Sequence, residues 1–261
     1  GAPIEAEATA AVRFVAEREP DLIREDRLSP TSTEWHDRYV DAICRDRAGS
    51  FFEEYAVAGR LVVDTIRQWD ESLGQFCERL VADADEIRVT ADNGTDITFQ
   101  PGEREWHEDT GIIHEPGDFS NLPAGEVFIA PESASGTYVV DGTISPHGLL
   151  DEGHTVEVTV EDGYVTEFSD DEVAAEFERA SEDVGRDAYN LAELGIGTNV
   201  AVTDLVGSVL LDEKAAGTVH IAVGDNASIG GDTDAPIHLD GVIRDPTVFV
   251  DGEEITLPQP E

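Results

Sequence analysis

A change of period near Asp85 constrains the fold of this chain more than any other feature. Beyond it, short β-branched runs alternate apolar with polar residues and are cut repeatedly by Gly, Asn and Asp. Side chains two apart then share a face, and the chain must keep turning back on itself. Glu86-Ile-Arg-Val-Thr90 and Asp96-Ile-Thr-Phe99 flank Asn93-Gly94, a hairpin signal. The same reading predicts strands over 126–130, 137–144, 155–160, 164–168, 218–223, 237–243, 247–250 and 255–257. A helix is predicted over 170–180, capped by Asp170 or Asp171. Before Asp85, apolar residues recur at i, i+3 and i+4 over 4–19, 33–47 and 51–83. The expected fold class is therefore α+β. A helical N-terminal segment, residues 1–84, precedes a β-rich mixed domain, residues 85–261, which carries the chemistry.

Charge narrows the function classes. Of 261 residues, 58 are acidic and 16 basic, a formal charge of −42. Such a surface repels nucleic acid, whose affinity comes from cations on phosphate, and anionic membranes likewise. The acids are dispersed, and Lys214 is the only lysine. At molar salt the Debye length falls to about 3 Å and this self-repulsion is screened. The composition reads as that of a cytoplasmic protein of a salt-accumulating halophile. No apolar run approaches the ~18 residues of a membrane span. Cys44 and Cys77 form neither a CxxC pair nor a disulfide framework.

Against this background one polar group stands out: His220, inside the apolar run Gly217-Thr-Val-His-Ile-Ala-Val-Gly224, and His238-Leu239-Asp240. On a strand His238 and Asp240 point to one face. Two imidazoles and a carboxylate are ligands that transition metals favour. A buried His or Asp is costly without a partner. A bound metal satisfies that need; so does a hydrogen-bonded core His beside a turn Asp.

Carboxylates are too many to identify by number, so context selects them. Glu126 stands at the mouth of a strand entered through Pro123-Ala-Gly125. Glu193 lies among apolar residues and two glycines, where backbone packs closely. For each alone, composition favours a solvated surface Glu. Glu213-Lys214 precede His220 by a few residues, and a solitary lysine is a candidate for chemistry or a survivor of chance. His107 and His114 read as polar-loop residues and His147 as a turn residue, each at the surface. There is no GxSxG elbow.

The segments NLPAGEVFIAP (121–131), NLAELGIGTN (190–199), DEKAAGTVHIAVGDN (212–226) and APIHLDGVIRDPTVFVDGEEI (235–255) resemble the aminopeptidase T, or thermophilic leucyl aminopeptidase, family of metallopeptidases. The resemblance spans about residues 80–257. It implies two divalent ions (zinc, cobalt or manganese) held by Glu126, Glu193, His220, His238 and Asp240. It further implies an acidic residue near the metals at Glu213, a peptide substrate and a homodimer; with such a site Glu213 or Glu193 is the candidate general base, and Lys214 and Asn226 are candidate oxyanion donors. The family's tyrosine after the position of His220 is missing here, and its N-terminal domain is larger.

On this reading the chain is a metal-dependent aminopeptidase, a hydrolase releasing N-terminal residues of the leucine type. Two alternatives stand beside it. His220, His238 and Asp240 alone are the two-His-one-carboxylate set of a mononuclear iron(II) enzyme, and the same superfamily resembles ring-cleaving dihydroxypyridine dioxygenases. A non-catalytic homologue retaining only the scaffold is the other.

Overall fold

A computed structural model describes residues 81, 84–109, 121 and 123–259, all within the compact unit Trp69–Glu261. The expected helical segment, residues 1–84, lies outside the described residues but for positions 81 and 84.

Among the described residues the architecture is β-rich rather than α+β. The strands are β1 (Ile87–Thr90), β2 (Asp96–Gln100), β3 (His107–Asp109), β4 (Glu126–Ile129), β5 (Ser133–Val140), β6 (Thr143–Ile144), β7 (Gly148–Leu149), β8 (Val156–Glu161), β9 (Tyr164–Phe168), β10 (Leu191–Gly197), β11 (Thr218–Gly224), β12 (His238–Arg244), β13 (Thr247–Val250) and β14 (Glu253–Ile255). They form two sheets, ordered β14-β13-β1-β2-β5-β8-β9 and β3-β4-β10-β11-β12-β6-β7. Every strand pairing is antiparallel, so the expectation of a mixed domain is also corrected. The reason is local. Two-residue turns such as Asp162-Gly163 (φ 51° and 79°) and Asp251-Gly252 (φ 51° and 85°) have both residues left-handed. This is the turn whose twist suits a tight antiparallel hairpin and leaves no room for a crossover helix.

One core lies between the sheets. Ile87, Val89, Ile97, Phe99, Val156 and Val158 of the first meet Val127, Ile129, Leu194, Ile196, Val219, Ile221 and Ile243 of the second. The sheets approach closely at Gly241, where a Cβ would lie 2.4 Å from Val140 Cγ2.

Among the described residues the one helix of note is α1 (Asp171–Val184). Asp170 caps it, Oδ1 accepting from Glu172 N at 3.0 Å and Val173 N at 2.9 Å. Its buried face is Val173 and Phe177, with Phe177 stacked 4.7 Å from Phe168. A single helical turn, α2 (Val209–Asp212), leads into Glu213 and Lys214.

Candidate metal centre

The site is built on one face of β4, β10, β11 and β12, which are adjacent in the second sheet. The registers explain why. Glu126 sits opposite Gly197, His220 opposite Gly195, Glu193 opposite Ala222, Ala222 opposite Asp240 and His238 opposite Gly224. With a side-chain period of two, all five polar residues share a face. Their neighbours Leu194, Ile196, Val219 and Ile221 face the core, hence the apolar runs around them. The intervening residues are small for a steric reason. A Cβ on Gly195 would lie 1.9 Å from His220 Nε2, and one on Gly197 would lie 2.0 Å from the Ala215 carbonyl oxygen. These two glycines also hid β10 from a propensity reading, since Gly weakens a strand pattern.

Glu193 is the centre of the group. Its Oε1 lies 3.3 Å from His220 Nε2, and its Oε2 lies 3.4 Å from His238 Nε2. Asp240 Oδ1 is 3.6 Å from the same His238 nitrogen. Ligand atoms of Glu193, His238 and Asp240 fall within 4.8 Å of one another. His220 sits on the far side of Glu193, with Nε2 3.5 Å from Glu126 Oε2. His238 is oriented by its other nitrogen: Nδ1 donates to the Asp225 carbonyl at 2.6 Å. That bond turns Nε2 toward the carboxylates.

The charges are strongly coupled. Burial opposes ionisation of Glu193, but hydrogen bonds from His220 and His238 outweigh it and hold the carboxyl at about 2. Burial likewise opposes protonation of the two imidazoles, yet Glu193 and Glu126 raise His220 to about 9, and Asp240 and Glu193 raise His238 to about 11. With no cation bound, protons on the imidazoles therefore balance the buried carboxylates, and an ion there would displace them. Glu213 is pushed up to about 7, first by burial and then by the charges of Asp240 and Glu126.

Lys214 is fully buried, 0% exposed. Its Nζ donates to Glu126 Oε1 at 3.0 Å and to Glu213 Oε1, and lies 3.8 Å from Asp109 Oδ2. Burial alone would lower its pKa; Glu126 and Glu213 instead hold it well above the ordinary value.

All seven residues singled out from sequence thus gather in one place: Glu126, Glu193, Glu213, Lys214, His220, His238 and Asp240. Glu126 and Glu193 are 5% and 7% exposed, so neither is a solvated surface residue. Asn226 is not among them. Its Oδ1 accepts from Thr233 N at 2.9 Å and its Nδ2 points to the Ala192 carbonyl, so the amide shapes the 224–233 loop. His107 lies on β3, half-buried and stacked 5.4 Å from Phe128, rather than in a surface loop; His114 lies outside the described residues.

Two residues escaped the sequence reading. Asp109 reaches Lys214 only because β3 pairs with β4, opposite Glu126; nothing local marks it among 58 acids. Asp212, 0% exposed, accepts from Thr143 Oγ1 at 2.6 Å, Val206 N at 2.9 Å and Gly207 N at 2.8 Å. It thereby fixes the turn that presents Glu213 and Lys214. A cavity of about 340 Å³ opens onto the group, walled by Phe128, Val209, Leu210 and Ile229 and by the carboxylates of Glu193, Glu213 and Asp240.

The family NicX: 2,5-dihydroxypyridine 5,6-dioxygenase matches residues 66–258. The chain belongs to the NicX family. A curated 2,5-dihydroxypyridine 5,6-dioxygenase of Pseudomonas putida is 26% identical to this NicX-family chain over 196 residues, covering 69% of this chain and 55% of that protein. The chain thus spans about half the length of that relative. The solved 2,5-dihydroxypyridine dioxygenase from Pseudomonas putida KT2440 shares the fold, with a TM-score of 0.66 at 21% identity, covering 77% of this chain and 62% of that one. Wild-type AmpT from Thermus thermophilus shares it more loosely, with a TM-score of 0.55 at 18% identity over 88% of this chain and 73% of that one. The likeness to AmpT is one of fold. The expected metalloaminopeptidase, a hydrolase acting in proteolysis, is overturned by membership of a dioxygenase family. No helix of the described residues is long and apolar enough to cross a membrane.

Proposed function

We propose that the chain is a mononuclear iron(II)-dependent dioxygenase that opens a small dihydroxylated aromatic ring of the dihydroxypyridine class. The observation that carries this reading is the convergence of His220, His238, Asp240 and Glu193 on one sheet face in a chain of the NicX family. His220, His238 and Asp240 would hold the iron, and Glu193 lies between the two imidazoles. The donor set fits: both ring nitrogens face carboxylates, and Glu126 Oε2 is buried without a hydrogen-bond partner.

One ion is favoured over two divalent ions because Glu126, one of the five residues a pair would share, already has Oε1 committed to a buried cation. The Lys214 ammonium occupies the space among Glu126, Glu213 and Asp109. A second ion drawing on Glu126 would compete with that fully buried positive charge, with the cost of loosening it from its carboxylates.

When bound, iron(II) supplies the one-electron chemistry with dioxygen that a closed-shell ring lacks by itself. The protein's residues do the rest. Phe128, Val209, Leu210 and Ile229 form an apolar wall, and a cavity of this size suits one ring with a few polar groups. Glu213 lines the same cavity, and a carboxyl poised at about 7 is matched to taking a proton from a ring hydroxyl near neutrality. Before that transfer Lys214 steadies the Glu213 carboxylate at Oε1, and Asp212 holds the turn in place.

The test is oxygen uptake by the anaerobically iron-loaded protein, in high salt, with 2,5-dihydroxypyridine and with a catechol as contrast. The expected result is one iron per chain, oxygen consumption with loss of ring absorbance, and no turnover in His238→Ala or Asp240→Ala. An iron-loaded chain that consumes no oxygen with any dihydroxylated ring would overturn the proposal.

A further inference from the structure

A second cluster of metal-type ligands lies outside the sheet-face centre and shares no residue with it. His147 occupies the turn between β6 and β7, His154 the loop between β7 and β8, and Asp170 the N-cap of α1. His147 Nε2 is 3.0 Å from Asp170 Oδ1, and His154 Nε2 is 3.7 Å from Asp170 Oδ2. Donor atoms of the three residues all fall within 4.8 Å of one another.

We propose that His147, His154 and Asp170 bind a borderline divalent cation, zinc being the best match, as a structural clip. Two imidazoles and a carboxylate are a borderline-and-hard donor set that zinc accepts. A tetrahedral ion with bonds of about 2.1 Å sets its ligand atoms about 3.4 Å apart; each imidazole is near that distance from one oxygen of Asp170, His147 from Oδ1 and His154 from Oδ2. The contact to His154 is too long to be a hydrogen bond, so Oδ2 is not consumed by it. Oδ1 already serves the helix cap and His147. The rings lie 5.3 Å apart at 63°, an edge arrangement that lets both Nε2 atoms face the same carboxylate. On the remote side of His147, Nδ1 faces Glu172 Oε2 at 3.9 Å, the position where a metal-bound imidazole commonly finds an outer carboxylate.

Topology gives the clip its purpose. The strand β7 ends one sheet and β9 ends the other, and Asp170 follows β9 within two residues. An ion here would fasten the turn at the end of one sheet to the helix start at the end of the other. His147 and Asp170 are mostly covered while His154 is 46% exposed, so the ion has an entry path and a face open to water.

The experiment compares the full chain with His154→Ala and Asp170→Asn. Bound zinc is counted after gel filtration, and the melting temperature is followed as zinc is added. The wild type should retain one zinc more than either variant, and zinc should raise its melting temperature while raising the variants' less. Affinity at this site should fall at least about tenfold in His154→Ala. Asparagine caps a helix as well as aspartate, and His154 is half in solvent, so neither change threatens folding. Oxygen uptake at the sheet-face centre should be unaltered in His154→Ala. Equal stoichiometry and equal thermal shifts in all three proteins would overturn the clip and leave the dioxygenase proposal untouched.

Discussion

Gly195→Ala puts the logic of the sheet-face centre at risk in a single methyl group. Gly195 lies in β10, between β4 and β11, and its φ is not in the left-handed region. Backbone entropy alone would therefore make alanine better by roughly 0.5–1 kcal/mol. Packing says the opposite. The new Cβ would sit 1.9, 2.1 and 2.8 Å from Nε2, Cε1 and Cδ2 of His220, all inside any tolerable contact. The ring is 1% exposed and carried on the neighbouring strand, so it cannot swing into solvent. It has to slide off Gly195, which lengthens its 3.3 Å approach to Glu193 and its 3.5 Å approach to Glu126. Overpacking of this kind costs about 1–3 kcal/mol, leaving a net loss on the order of 1–2 kcal/mol after the entropic gain. Because His220 is a proposed ligand, iron affinity should fall roughly tenfold to a hundredfold, as when a ligand's support is lost. Urea unfolding of the metal-free protein reads the first quantity, and iron retained against a chelator reads the second. If Gly195→Ala is as stable as wild type and holds iron as tightly, His220 does not stand over Gly195 and the steric account of β10 is wrong.

Other outcomes follow from single contacts. Lys214→Met removes a buried ammonium and leaves Glu126 and Glu213 facing each other; urea unfolding should show a loss of about 3–5 kcal/mol, and a loss below about 1 kcal/mol would mean the carboxylates are already protonated. Asp212→Ala strips the acceptor from Thr143, Val206 and Gly207. A loss of roughly 3 kcal/mol or more is expected, and oxygen uptake should fall with it because Glu213 follows directly; full activity in a destabilised variant would separate the turn from the chemistry. The Arg88 hydrogen bond holds the Asp96 carboxyl below its ordinary value against a small burial effect. A depressed folded pKa gives stability that is present above the unfolded pKa and lost as pH falls through the folded one. Asp96→Asn should therefore lower the melting temperature slightly at neutral pH and low salt, and not in strong acid or molar salt; an equal loss in acid would contradict the ion pair.

What the sequence made legible was whatever depended on neighbours in the chain. The alternation at Ile87–Thr90 and Asp96–Gln100, the Asn93-Gly94 hairpin between them and the Asp170 cap are local, and each stands in the structure. The pairing of His238 with Asp240 is likewise a matter of period two. The predicted strand over 137–144 is broken at Asp141-Gly142, where Gly142 N bonds to the Val242 carbonyl across the sheets' edge. What stayed hidden was set by partners distant in sequence. The strand β10 is a strand because His220 and the Ala215 carbonyl need the space that Gly195 and Gly197 leave. Asp109 and Asp212 matter through contacts with residues far along the chain. The choice between hydrolase and dioxygenase was hidden for a deeper reason. Both chemistries draw on His, Asp and Glu, so the donor set cannot separate them. A solitary lysine could be read as an oxyanion donor or as chance. Only its burial among Glu126, Glu213 and Asp109 shows it filling a cation's place. That buried charge, engaging Glu126 and leaving Glu193 and Asp240 to the imidazoles, is what favours the proposed single ion over a pair.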